Sequence, residues 1–85
     1  MNEINCVTEI VNEVKNIVSR ILSVHQQEVL FSSRLNEDLG ADSIDMVEII
    51  MDCEKKFNIS ISEEEGSDVK RVEDVINLIG IKKLV

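Results

Sequence analysis

The 85-residue chain reads as all-α: a small four-helix bundle with a long loop between helices 1 and 2 and a short third helix. Three observations predict this fold. Apolar residues recur at steps of three and four in three separate stretches, the period of a helix that buries one face. No run alternates apolar with polar residues as a half-buried strand does, and no hairpin dipeptide is present. The sequence has no proline, so no helix is interrupted by loss of a backbone donor.

The first helix is expected from Val7 to Leu22, where Val7, Ile10, Val11, Val14, Ile17, Val18, Ile21 and Leu22 form the apolar stripe. Many of these side chains are β-branched and weak helix formers, so the helix depends on packing more than on propensity. Residues 24–42 lose the period and carry Ser32, Ser33 and Gly40 among Val29, Leu35 and Leu39, which reads as a long, partly anchored loop. Such loops tend to be functional or to hide a helical turn.

Asp42 and Ser43 open a second helix reaching Phe57, because Met46, Ile49, Ile50, Cys53 and Phe57 fall at offsets of 0, 3, 4, 7 and 11. Its other face mixes Ile44, Val47 and Met51 with Glu48, Glu54 and Lys55, which suits a contact surface better than a purely solvated one. Ser62 with Glu65 matches a capping box and starts the short third helix, which Gly66 ends or loosens. Val72, Val75, Ile76 and Ile79 repeat at 0, 3, 4 and 7 as the last helix, expected to stop near Gly80. One domain over residues 1–85 follows, with 1–6 and 81–85 expected to be frayed ends.

Composition removes several functions. Nine Lys+Arg against seventeen Asp+Glu give a net charge of −8, which repels a nucleic-acid backbone and favours basic patches on protein partners. Phe31 and Phe57 are the sole rings, so no base-stacking surface exists. The start lacks a signal-peptide pattern and no apolar run reaches membrane-spanning length; the expectation is a cytoplasmic monomer with no membrane insertion. Cys6 and Cys53 read as reduced thiols, Cys53 as a small buried hydrophobe on the helix stripe and Cys6 as an end-of-chain residue. His25 is the sole histidine and has no partner nucleophile in view, so the chain is not read as an enzyme and has no catalytic residue. An EF-hand reading fails because Val47 stands where the closing Glu belongs after Asn36, Asp38 and Gly40; no metal site is expected.

Interest centres on the stretch from Asp38 to Glu48, where Gly40 feeds Ser43 into the first turn of a helix. Taken locally, Asp42-Ser43 with Asp45 is an ordinary N-cap with an acid in the first turn. The same place also tolerates an attached phosphate, since free amides and the macrodipole favour negative charge. Local chemistry leaves both open.

Leu39-Gly40-Ala41-Asp42-Ser43-Ile44-Asp45, followed by Val47-Glu48, resembles the Asp-Ser-Leu motif and second helix of acyl carrier proteins. The likeness runs through most of the chain: the first helix, the loop with Leu35 and Leu39, the Phe57-x-Ile59-x-Ile61 exit, the acidic third helix and the Val72-to-Ile79 helix keep the family order. It implies that Ser43 receives a covalent 4′-phosphopantetheine arm from coenzyme A through a holo-carrier-protein synthase, a phosphopantetheinyl transferase. The arm's thiol would hold acyl chains as thioesters, and these could fold back into an apolar cavity. The resemblance further implies docking by fatty acid synthesis enzymes with basic patches onto Asp42, Asp45, Glu48, Glu54, Glu63, Glu64 and Glu65, around Ile44, Val47 and Met51. Three departures stand out. Lys55 and Lys56 replace an acidic run common in bacterial members. Ser62 replaces a common proline, and Lys70-Arg71 stand where a hydroxyl cap is usual, which is expected to weaken the start of the last helix. Two alternatives remain: a carrier for another thiotemplate pathway (polyketide, aminoacyl or D-alanyl), and an unmodified helical adaptor.

Overall fold

The computed structural model describes residues 6–84, and among these it contains four α-helices, one turn of 3₁₀-helix and no strand. The helices are α1 (Cys6–Leu22), α2 (Ser43–Phe57), α3 (Glu63–Ser67) and α4 (Val72–Leu84). α1 packs on α2 and on α4, and α2 touches α4, so the three long helices share one core. Ile10, Val14, Ile17 and Val18 from α1, Ile49, Cys53 and Phe57 from α2, and Val72, Val75 and Ile79 from α4 are buried in it. The expected stripes thus face inward, apart from Val7, which is half exposed. No helix among the described residues is long and apolar enough to cross a membrane.

The long loop is held more tightly than its composition suggests. It hides a 3₁₀ turn at Gln26–Glu28 and buries Val29, Ser33, Leu35 and Ala41. Ser33 Oγ accepts from Leu30 N at 3.1 Å and donates to the Glu28 carbonyl at 3.4 Å, which satisfies a hydroxyl that would be costly to bury unpaired. The loop also closes the start of α4. Val72 N donates to the Ser33 carbonyl and Glu73 N to the Phe31 carbonyl, each at 3.0 Å. Asp74 Oδ2 accepts from Lys70 N at 3.0 Å and from Arg71 N at 2.9 Å. The expected weakness at Lys70-Arg71 is therefore corrected: carbonyls from a distant segment and a carboxylate three residues inside the helix take the place of a hydroxyl cap.

The far end of α4 needs a second correction. The helix does not stop at Gly80 but continues to Leu84, so residues 81–84 are helical where fraying was expected. Its last turn is tied on two sides: Lys82 Nζ lies 3.0 Å from Glu65 Oε1, and Lys83 Nζ donates to the Phe57 carbonyl at 3.3 Å. These contacts offset the roughly 1 kcal/mol that a helical glycine costs. The expectation of frayed ends at residues 1–5 and 85 lies outside the described residues.

Candidate functional site

Ser43 is the first residue of α2, and the chain before it explains its exposure. Gly40 adopts φ 81°, a left-handed turn open to glycine at no steric cost, and Ala41 then plugs into the core with its amide on the Leu35 carbonyl at 2.8 Å. Asp42 caps the helix: its Oδ1 accepts from Asp45 N at 2.8 Å, while Asp45 Oδ2 accepts from Asp42 N at 3.2 Å. This reciprocal pair fixes the first turn. Ser43 is exposed, and its hydroxyl has no hydrogen-bond partner among the described residues. The amides of Ser43 and Ile44 likewise have no acceptor among the described residues.

Ser43 lines a groove of about 540 Å³, open to solvent, between α2 and the α3 region. Met46, Val47, Ile50 and Met51 from α2, with Ile61 and Val69, supply its apolar lining; Asn36, Glu54, Ser62, Glu63, Ser67 and Lys70 are polar. The volume falls in the range of sites that hold small organic ligands.

The acids expected on the docking surface divide by what they already do. Asp42 and Asp45 form the α2 cap. Glu54 Oε2 accepts from Ile61 N at 2.8 Å. Glu65 Oε1 accepts from Ser62 N at 2.9 Å and faces Lys82; the backbone bond first and Lys82 second hold its carboxyl below the usual range. Glu48, Glu63 and Glu64 are exposed with no side-chain partner among the described residues. Around Glu48 lie Ile44, Val47 and Met51, at 70%, 56% and 48% exposure, an apolar surface left open among the described residues. Sequence reasoning could name the acids but could not separate bonded from free ones, because both kinds sit at the same helical spacing.

Lys55 and Lys56 occupy the last turn of α2, where cations complement the helix dipole, and Lys56 also pairs with Glu13 of α1 at 3.6 Å. They therefore have a structural use in the bundle. Cys53 is buried and free, its thiol pushed up to about 12 by burial and by the nearby Asp52 and Glu54 carboxylates. His25 is exposed, starts the 3₁₀ turn and makes no side-chain hydrogen bond among the described residues. No group of three or more metal-ligating side chains exists among the described residues.

A family profile described as a phosphopantetheine attachment site matches residues 12–79. An acyl carrier protein from Wolinella succinogenes is 43% identical over 74 residues, 87% of this chain and 97% of its own. Another from Helicobacter hepaticus is 47% identical over 70 residues, covering 82% and 92%. The chain belongs to the acyl carrier protein family. A solved structure from Mycobacterium tuberculosis, provisionally assigned as an acyl carrier protein, superposes with a TM-score of 0.80 at 26% identity over 85% of this chain and 96% of that one. Family members are carriers and not enzymes, and the group they carry covalently is 4′-phosphopantetheine. The residues present at the start of α2 fit that group. An unengaged hydroxyl, two unengaged amides at a helix N-terminus and an adjoining apolar groove meet at one place.

Proposed function

We propose that Ser43 is the attachment point of the 4′-phosphopantetheine arm and that the chain carries acyl groups between enzymes of fatty acid biosynthesis, as a cytoplasmic monomer. The observation that supports it best is the Ser43 hydroxyl, exposed, unbonded and at the mouth of the groove along α2. Bound there, the arm supplies a terminal thiol on which acyl groups are held as thioesters.

The chain's own residues divide that task. Ser43 Oγ attacks the pantetheine-side phosphorus of coenzyme A's pyrophosphate, so that a phosphodiester forms on the serine as the P–O–P bond breaks and adenosine 3′,5′-bisphosphate leaves; the hydroxyl proton passes to a group of the transferase, since no side chain among the described residues bonds it. The Asp42–Asp45 cap fixes the helix start so that the hydroxyl is presented at one angle. Ile44, Val47 and Met51 form the apolar centre of the docking surface, and Glu48, Glu63 and Glu64 are the carboxylates free to meet basic patches. Asp42 and Asp45 present charge to a partner through whatever lone pairs the cap leaves, and Glu54 and Glu65 contribute field more than contact.

Incubation with coenzyme A, magnesium and a phosphopantetheinyl transferase is expected to add one phosphopantetheine by intact mass, and nothing to Ser43→Ala. A wild-type chain that stays unmodified by several competent transferases would favour the unmodified adaptor. Mass analysis of the thioester cargo from the native cell separates fatty acyl from polyketide, aminoacyl or D-alanyl carriage.

A further inference from the structure

Among the described residues, Lys70 is the sole cationic one lining the groove that Ser43 also lines. We propose that Lys70, with Asn36 beside it, anchors the phosphodiester of the arm, a role that rests on Ser43 being the attachment point. Its backbone is fixed relative to that serine by a short chain of hydrogen bonds. The Lys70 carbonyl accepts from Leu35 N at 2.9 Å, the Leu35 carbonyl accepts from Ala41 N at 2.8 Å, and Ala41, buried, precedes Ser43 by two residues. Asn36 follows Leu35 and lines the same groove. The Lys70 backbone is thus tied to the segment that leads into α2.

The charge balance there calls for a cation. A phosphodiester on Ser43 adds a negative charge to a turn that already holds Asp42 and Asp45, whose carboxylates are engaged with amides and not with any lysine or arginine. Among the described residues, the two segments joined by the Leu35–Lys70 backbone bond carry Arg34, Lys70 and Arg71. Arg34 is paired with Glu37 and Asp38, and Arg71 donates to the Ser32 carbonyl at 2.7 Å. Lys70 is left: its ammonium makes one long contact, 3.4 Å to the Ser67 carbonyl, and no ion pair among the described residues. An ammonium is a compact point charge with three rotatable donors, able to exchange that carbonyl for a phosphate oxygen without disturbing the fold. The phosphodiester stays at Ser43 and the ammonium swings to it from the Ser67 carbonyl, so that the rest of the arm would start out along the groove that both residues line instead of into solvent.

The test uses the loaded protein and reads the phosphorus. Wild type, Lys70→Gln and Lys70→Arg are converted with coenzyme A and a transferase, checked by intact mass, and their ³¹P resonances recorded at low and high salt. The anchor predicts a wild-type resonance displaced from that of free phosphopantetheine and returning toward it as salt rises. In K70Q the displacement should shrink, with docked occupancy falling roughly two- to fivefold, the scale of an exposed charge contact. K70R should retain it. Amide shifts at residues 36, 67 and 70 on loading should weaken in K70Q while those at residues 43 and 44 persist. A loaded K70Q with the wild-type resonance and the same salt response overturns the anchor alone. A wild-type chain that never gains the arm removes the Ser43 reading, and the anchor with it.

Discussion

Glu54 Oε2 accepts a hydrogen bond from Ile61 N at 2.8 Å, so a carboxylate on the face expected to meet partners is committed to the connection between α2 and α3. That bond closes the bend after Asn58, whose left-handed φ of 56° ends α2. Removing it leaves a partly buried amide unsatisfied. Glu54→Ala is therefore expected to lower stability by about 1–2 kcal/mol, read as a reduced urea midpoint. Glu48, exposed and without a partner among the described residues, should behave in the opposite way: Glu48→Ala stays within about 0.5 kcal/mol of wild type. Glu48→Lys is expected to slow loading by the transferase roughly two- to fivefold at low salt, a penalty that salt removes. Equal effects of both acids on stability and on loading would refute the division.

Two other carboxylates make stability depend on pH. Asp38 is held below its ordinary 3.8 by the Arg34 amide and then by the Arg34 side chain, and Glu65 below its ordinary 4.5 by the Ser62 amide and then by Lys82. A carboxyl whose folded value is depressed stabilises the fold above its unfolded value, and that stabilisation is lost as pH falls through the folded one. The loss therefore falls below about pH 4.5. Compared with wild type, Asp38→Asn/Glu65→Gln should start less stable at neutral pH and lose less between about pH 5 and pH 3, so that the two urea midpoints converge. Parallel curves across that range would contradict the assignment.

The three long helices were legible because a buried face imposes its period on the sequence, and both capping boxes, Asp42 with Asp45 and Ser62 with Glu65, were legible because they use side chains at fixed spacing. What escaped was built from backbone. The loop reaches α4 through the carbonyls of Phe31 and Ser33, and carbonyls have no residue signature. Gly80 looked like a stop because glycine often is one; the lysines that hold the turn beyond it were visible, but their partners, Glu65 and the Phe57 carbonyl, come together only in the fold. Ser43 was legible as a helix start from spacing, and its proposed role as the attachment point was suggested only by the likeness of the whole segment.

Cys53 provides a thiol test that keeps the arm separate from the fold. With its thiol pushed up to about 12, Cys53 is almost entirely protonated at neutral pH, and its burial blocks reagents as well. In a Cys6→Ser background, the unloaded protein should react with a thiol reagent more than about a hundredfold slower than a free cysteine, and stoichiometrically once unfolded in urea. The loaded protein should add one fast equivalent, from the arm. A fast native reaction in the unloaded form would show that Cys53 is reached through opening of the core.

The same substitution at two glycines should have opposite signs. At Gly40, φ is 81° and an added Cβ would meet nothing within 4 Å, so Gly40→Ala is penalised by backbone strain alone. That strain is worth about 1–2 kcal/mol for a residue with a Cβ. Gly80 lies inside α4, and its added Cβ also meets nothing within 4 Å, so Gly80→Ala introduces no clash and restricts the unfolded chain. It is expected to stabilise by about 0.5–1 kcal/mol. Urea melts of the two variants check both signs. Because Gly40 sets the approach to Ser43, Gly40→Ala should also slow loading by the transferase, whereas Gly80→Ala, at the other end of the bundle from the α2 start, should load at the wild-type rate.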